Sequence, residues 1–310
     1  MTVVVYMILT AAAVTFVAAS AARAVQYARQ PVHLRWELYP VPHEEAARAA
    51  HGGSYFEDSE WWRVPRHLNL VGEWRFMITE MLFLRALREF NRALWFRSFP
   101  FHFGLYLLAA TCGLVFATAL ATVLAGHVVA GRLEGVVSWV CTGTGAAGIV
   151  LTVGGALALL HRRLTDPSLR PYTTRGDIFN LLFFMVAFGV AGLGYAMRPA
   201  GSPGALSIAV GLLSWDTRRQ IPLLFGSGLV AIALLMAYIP LTHMSHFIGK
   251  YFTYHAVRWD DAPLGSSRRM AAAMAAHLAY RPTWAAGHVR GNGAPTWAEV
   301  ASSNPARETK

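Results

Sequence analysis

Twelve histidines are spread over the 310 residues, and imidazole serves both proton transfer and metal ligation near neutral pH. Two of them stand in matched surroundings. His102 follows Arg97 by five residues at the start of a long apolar run, and His246 precedes Lys250 by four at the end of another. On helices these offsets amount to about 7.5 and 6 Å from the flanking charges. If the two runs are antiparallel helices, both imidazoles lie at one depth. A haem iron takes two axial ligands that face each other across a gap, and histidine is a usual one. A histidine at a membrane interface also has a plainer use, bonding to headgroups or loop carbonyls. The matched depth is what argues for axial ligation of a b-type haem here.

Neighbouring residues extend this pattern. His243 lies one turn before His246 on nearly the same helix face. It could replace His246 as ligand, contact a haem propionate or bind a second group. His161 ends another apolar run and is followed by Arg162 and Arg163. Those arginines could donate charge-assisted hydrogen bonds to propionates, or act only as charges that fix topology. Toward the opposite membrane face only His127 is at a useful depth, with no histidine to face it. Met7, Met185 and Met236 could ligate iron in principle, although packing is the ordinary use of methionine. Cys112 and Cys141 sit within apolar runs, so neither a disulfide framework nor a cysteine-held iron–sulfur site is visible.

The elements that must position these residues are membrane spans. Hydrophobic residues make up 55% of the chain and charged residues only 14%, against about 25% charged in soluble domains. Five runs reach the roughly 20 residues needed to cross the hydrocarbon layer: Thr2–Ala22, Phe99–Ala125, Val136–Leu160, Ile178–Met197 and Ile221–Ile248. None contains Lys, Arg, Asp or Glu. Glycines recur through them, which allows close approach of helix backbones. The first run lacks a basic leader and is longer than a signal-peptide core, so it is expected to be a retained span. The expected fold is all-α, a polytopic membrane bundle of about five transmembrane helices.

The net charge of +10 follows topology rather than nucleic-acid binding. With the amino terminus outside, 23 of the 27 basic residues fall on one side, leaving Arg132, Arg198, Arg218 and Arg219 opposite. The positive-inside rule therefore gives an N-out, C-in orientation in a prokaryotic cytoplasmic membrane. Residues 1–27 form the first span, 28–98 a cytoplasmic insertion, 99–250 a four-helix core and 251–310 a cytoplasmic tail. Within the insertion, Trp36 to Glu44 is broken by Pro40 and Pro42. Residues 73–95 have near-helical apolar spacing (Met77, Ile78, Met81, Leu82, Leu84, Leu87, Leu94), which predicts one amphipathic helix. It would lie along the membrane interface or help to dock a soluble partner. The insertion's Trp, Tyr and Arg content favours a partner.

Several of these segments carry a family resemblance. Phe101-His102-Phe103-Gly104 resembles the Phe-His-x-Gly opening of helix two in the gamma subunit of respiratory nitrate reductase. Arg162-Arg163-Leu164, with Pro167, Thr173-Thr174 and Gly176-Asp177-Ile178, resembles that family's loop after helix three. Pro240 and His246 match a Pro and His near the end of its helix five. The insertion, through Arg35 to Glu44, Gly52 to Glu57 and Trp61-Trp62, resembles the branch found in sulfate-reducer transmembrane complexes and heterodisulfide-reductase-linked cytochromes.

That resemblance implies a haem-b subunit moving electrons between membrane quinone, such as menaquinone, and a cytoplasmic iron–sulfur partner of the heterodisulfide-reductase kind. It carries the inner axial ligands over to His102 and His246. The outer pair does not carry over, because Cys112 and Gly228 stand where the family has histidines. One haem near the cytoplasmic face is therefore expected. Two other classes compete: a haem-free membrane anchor for a soluble redox enzyme, and a small transporter. The spans hold no mid-membrane acid or base, which argues against transport.

Overall fold

The computed structural model describes residues 1–29, 44–50, 59–60, 69–126, 132–252, 268–283 and 293–302. Much of the insertion (Trp36, Gly52-Gly53, Tyr55–Asp58, Trp61-Trp62), His127 and most of the tail lie outside them. Helices α1 (Thr2–Arg29), α2 (Ala46–Ala50), α3 (Leu70–Phe83), α4 (Arg85–Phe90), α5 (Arg92–Ala125) and α6 (Arg132–Thr165) are followed by α7 (Arg175–Ala196), α8 (Ala205–Ser214), α9 (Leu223–Leu241), α10 (His246–Phe252), α11 (Arg268–Leu278) and α12 (Trp297–Ser302). No strand occurs among the described residues. Five of these helices, α1, α5, α6, α7 and α9, are long and apolar enough to cross a membrane. The chain is an all-helical, multi-pass membrane protein.

The chain divides into two compact units. The first comprises Met1–Val25 and Glu73–Gly249 and holds the spans; the second comprises Gln26–Gly72 and Lys250–Lys310. In the second, Arg269 donates to the Ala28 carbonyl (3.0 Å), and Tyr27 lies 5.8 Å from Phe252, ring centre to ring centre.

Glycine contacts bring the spans together at backbone distance. A Cβ added to Gly104 of α5 would lie 2.6 Å from the Thr152 nitrogen of α6, and one on Gly155 would lie 2.7 Å from the Phe101 Cα. Gly194 and Gly228 do the same between α7 and α9, against Phe225 and Ala191. Without a solvent-driven hydrophobic effect inside lipid, this close packing supplies much of the association energy. Two apolar clusters result. One lies where α5 and α7 begin and α6 and α9 end, built on Phe101, Leu160, Phe184 and Leu235. The other lies at the far end, on Val5, Tyr6, Ile208 and Phe225. The short α8 was not anticipated, since ten residues are too few to span.

Two boundaries depart from expectation. The fifth apolar run does not continue as helix to Ile248: α9 stops at Leu241, Thr242 is extended (φ −120°, ψ −176°), and a 3₁₀ turn covers His243–Ser245 before α10 begins. Pro240 lacks an N–H for the α-helical ladder, and the Thr242 hydroxyl accepts from the Met244 N–H to start the turn (3.3 Å). Arg23 of α1 donates to the Pro240 and Leu241 carbonyls (3.3 and 3.4 Å), satisfying acceptors the helix end would leave open.

The helix expected over 73–95 is broken at Leu84, whose backbone is left-handed (φ 51°, ψ 50°), and again at Asn91. Tertiary partners offset the break. Trp95 Nε1 donates to the Phe83 carbonyl (2.8 Å), the Tyr106 hydroxyl to that of Met81 (2.6 Å), and the Ala86 N–H to Glu80 Oε2 (2.8 Å). The buried stripe is Glu73, Met77 and Glu80, whereas Trp74, Ile78 and Leu82 face outward. That polarity is the reverse of a soluble surface helix and suits an apolar surrounding.

Candidate functional site

His102 sits on α5 with its orientation set by the preceding turn. Its Nδ1 lies 2.8 Å from the Ser98 carbonyl oxygen and 3.2 Å from the Ser98 hydroxyl. A carbonyl can only accept, so Nδ1 carries the proton and Nε2 carries the lone pair. Histidines that bind metal commonly use this arrangement, donating one ring N–H to a carbonyl and ligating through the other nitrogen.

His246 is carried by the start of α10, immediately after the break. Its ring centre lies 6.4 Å from that of His102, with 68° between the ring planes. A metal–imidazole bond of about 2.0 Å, plus about 1.1 Å from nitrogen to ring centre, places two trans imidazoles about 6.2 Å apart. The observed centre-to-centre separation is close to that value. Among the described residues no group of three or more His, Cys, Asp or Glu could hold a bare ion. Two imidazoles complement a metal whose other positions are filled by a macrocycle.

The break sends its two histidines to different partners. His243 Nε2 lies 3.1 Å from the amide nitrogen of Asn180 on α7, and the Tyr238 hydroxyl of α9 donates to Asn180 Oδ1 (2.7 Å). Asn180 is buried at 4% exposure, so these bonds satisfy a polar group inside an apolar span. The structure thus brings His102 and His246 together and turns His243 toward α7.

The arginines also differ. Arg163 pairs with Asp177 (3.5 Å), the residue that closes the Thr174 capping box of α7. Arg162 meets Asp166 through Nε (3.4 Å), while its Nη1 is buried with no hydrogen-bond partner among the described residues. Asp166 lies just beyond the span. The Ser168 hydroxyl (2.6 Å) and N–H (3.0 Å) hold its carboxyl below the usual range, against desolvation and with a smaller contribution from Arg162. A surface hollow of about 550 Å³ lies on the α6–α7 loop, lined among the described residues by Thr165, Pro167, Arg170 and Pro171. His161 is exposed, and its carbonyl accepts from the Thr165 hydroxyl.

Sequence reasoning missed Ser98, Asn180, Tyr238 and the capping role of Arg23. Signals for two of them existed: Ser98 lies one helical turn before His102, and Asn180 is a lone amide inside an apolar run. No family model, no curated protein and no solved structure matches the chain.

Proposed function

We propose that this chain is the haem-b membrane subunit of a respiratory electron-transfer complex, relaying electrons between membrane quinone and a cytoplasmic iron–sulfur partner. One observation carries the reading: the His102 and His246 rings, 6.4 Å apart, with His102 tautomerically set to ligate through Nε2. A bound haem would supply one-electron chemistry, and the protein supplies ligands, burial and position. His102 and His246 would hold its iron. Arg162, through its unpartnered Nη1, is the arginine suited to a propionate, whereas Arg163 is committed to Asp177.

Packing at the far end of the bundle supports one haem rather than two. The Gly228 Cα faces the Ala191 backbone so closely that an added Cβ would overlap it, which leaves no room for a ligand side chain at that position. The likeness of Phe101 to Gly104, of the α6–α7 loop and of Pro240 with His246 to nitrate reductase gamma subunits supports the same assignment, in the branch linked to heterodisulfide-reductase-like partners. The basic-residue bias supports an N-out, C-in orientation in a prokaryotic cytoplasmic membrane, with the cytoplasmic insertion over residues 28–98 docking the partner.

The test is optical. Full-length protein purified from a haem-replete host should show a reduced b-type spectrum with about one haem per chain. Protein that is folded and haem-free under those conditions contradicts the proposal and leaves a membrane anchor.

A further inference from the structure

We propose that His243, Asn180 and Tyr238 form the head-group site for a benzo- or naphthoquinone. This inference rests on the quinone-linked reading above and names the site that reading lacks.

The hydrogen bonds come first. His243 is exposed, its Nε2 is engaged by Asn180 and the Asp177 carboxylate lies within range of its charge, so Nδ1 is the ring nitrogen left for a ligand. Because the Tyr238 hydroxyl donates to Asn180 Oδ1, the Asn180 amide presents N–H to Nε2. The proton of neutral His243 therefore sits on Nδ1, an outward donor suited to the carbonyl oxygen of a quinone. Rotating the Asn180 amide by about 180° exchanges its donor and acceptor faces. Its oxygen then accepts from Nε2–H, its nitrogen donates to the Tyr238 oxygen, and His243 Nδ1 becomes an outward acceptor suited to a quinol hydroxyl. The same three residues can thus bind either form of the ligand while the Asn180 oxygen and nitrogen each keep a partner.

The surroundings suit the ring as well. Phe179 and Phe183 stand 5.8 and 5.7 Å from the Tyr238 ring, centre to centre, and 5.5 Å from each other. Phe179 is 52% exposed on the outside of a span, where an apolar ligand would arrive from lipid. Aromatic faces favour stacking of a planar ring. His243 is also only three residues from His246, the proposed iron ligand. A cluster that merely pinned α7 to the α9 break would not need the exposed Phe179 ring beside it.

The experiment uses the full-length chain in lipid nanodiscs, irradiated with a photoreactive azido-naphthoquinone and mapped by peptide mass spectrometry, with haem content measured on the same samples. Label is expected in peptides covering Phe179–Phe183 and Tyr238–His243. Losing one hydrogen bond should lower it roughly fivefold in His243→Ala. Tyr238→Phe, which keeps the ring packing, should lower it by about threefold. Label concentrated elsewhere, for example on Tyr6 or Trp215, overturns the site. So does undiminished label in both variants, even if their melting temperatures fall. Undiminished label with about one haem per chain would defeat this site and leave the cytochrome standing; absent haem would defeat the cytochrome, while the label still decides the site.

Discussion

The imidazoles of His102 and His246 stand 6.4 Å apart across two helices that meet at one end of the bundle. His102 is locked by Ser98, whereas His246 rides on a segment set by Pro240, Thr242 and Arg23. His246→Met should therefore be accommodated and keep the haem. His/Met ligation raises the reduction potential, so a spectroelectrochemical titration should find the midpoint higher by roughly 100 mV.

The two arginines should separate cleanly. If the proposed haem is bound, Arg162→Gln would remove a positive charge near its propionates, which disfavours the reduced form and should lower the midpoint by tens of millivolts. Arg163→Gln breaks the pair with Asp177 and should lower the melting temperature by a few degrees with little change in potential. The same titration with a parallel thermal melt checks both.

Backbone contact between α7 and α9 predicts an asymmetry among glycines. Gly228→Ala places a methyl group against Ala191 and should cost about 1–3 kcal/mol, as overpacking does. Gly113→Ala meets nothing within 4 Å and should be neutral or slightly stabilising through helix propensity. Unfolding in mild detergent measures both.

The legible part of this protein was what lipid dictates. Five apolar runs became five spans because an unpaired backbone cannot sit in hydrocarbon, and the depth match of His102 with His246 followed from counting residues from Arg97 and Lys250. The ends were less legible. Pro240 was visible, but Arg23 was needed to show how the break is capped, and the two lie 217 residues apart. The amphipathic pattern over 73–95 hid its interruption because the residues around Leu84 are held by donors from Trp95 and Tyr106 and by the Glu80 carboxylate, which accepts from the Ala86 N–H, and no local propensity encodes these. That His243 bonds to Asn180 while His246 lies beside His102 could not be read from spacing, because the partners sit on different helices.

The α6–α7 loop should respond to acid. Hydrogen bonds from Ser168 depress the Asp166 carboxyl in the folded state. It therefore contributes stability above the unfolded value of about 4, and loses it as pH falls through the lower folded value. Ser168→Ala should move the Asp166 titration upward toward the ordinary range, read by carbon NMR of aspartate-labelled protein.

Haem stoichiometry across four proteins tests the central claim most directly. The parent chain and His243→Ala should each bind about one haem, while His102→Ala and His246→Ala, folded to the same extent, should bind almost none. Equal haem in all four would show that the iron is held elsewhere, and would contradict the assignment of this pair.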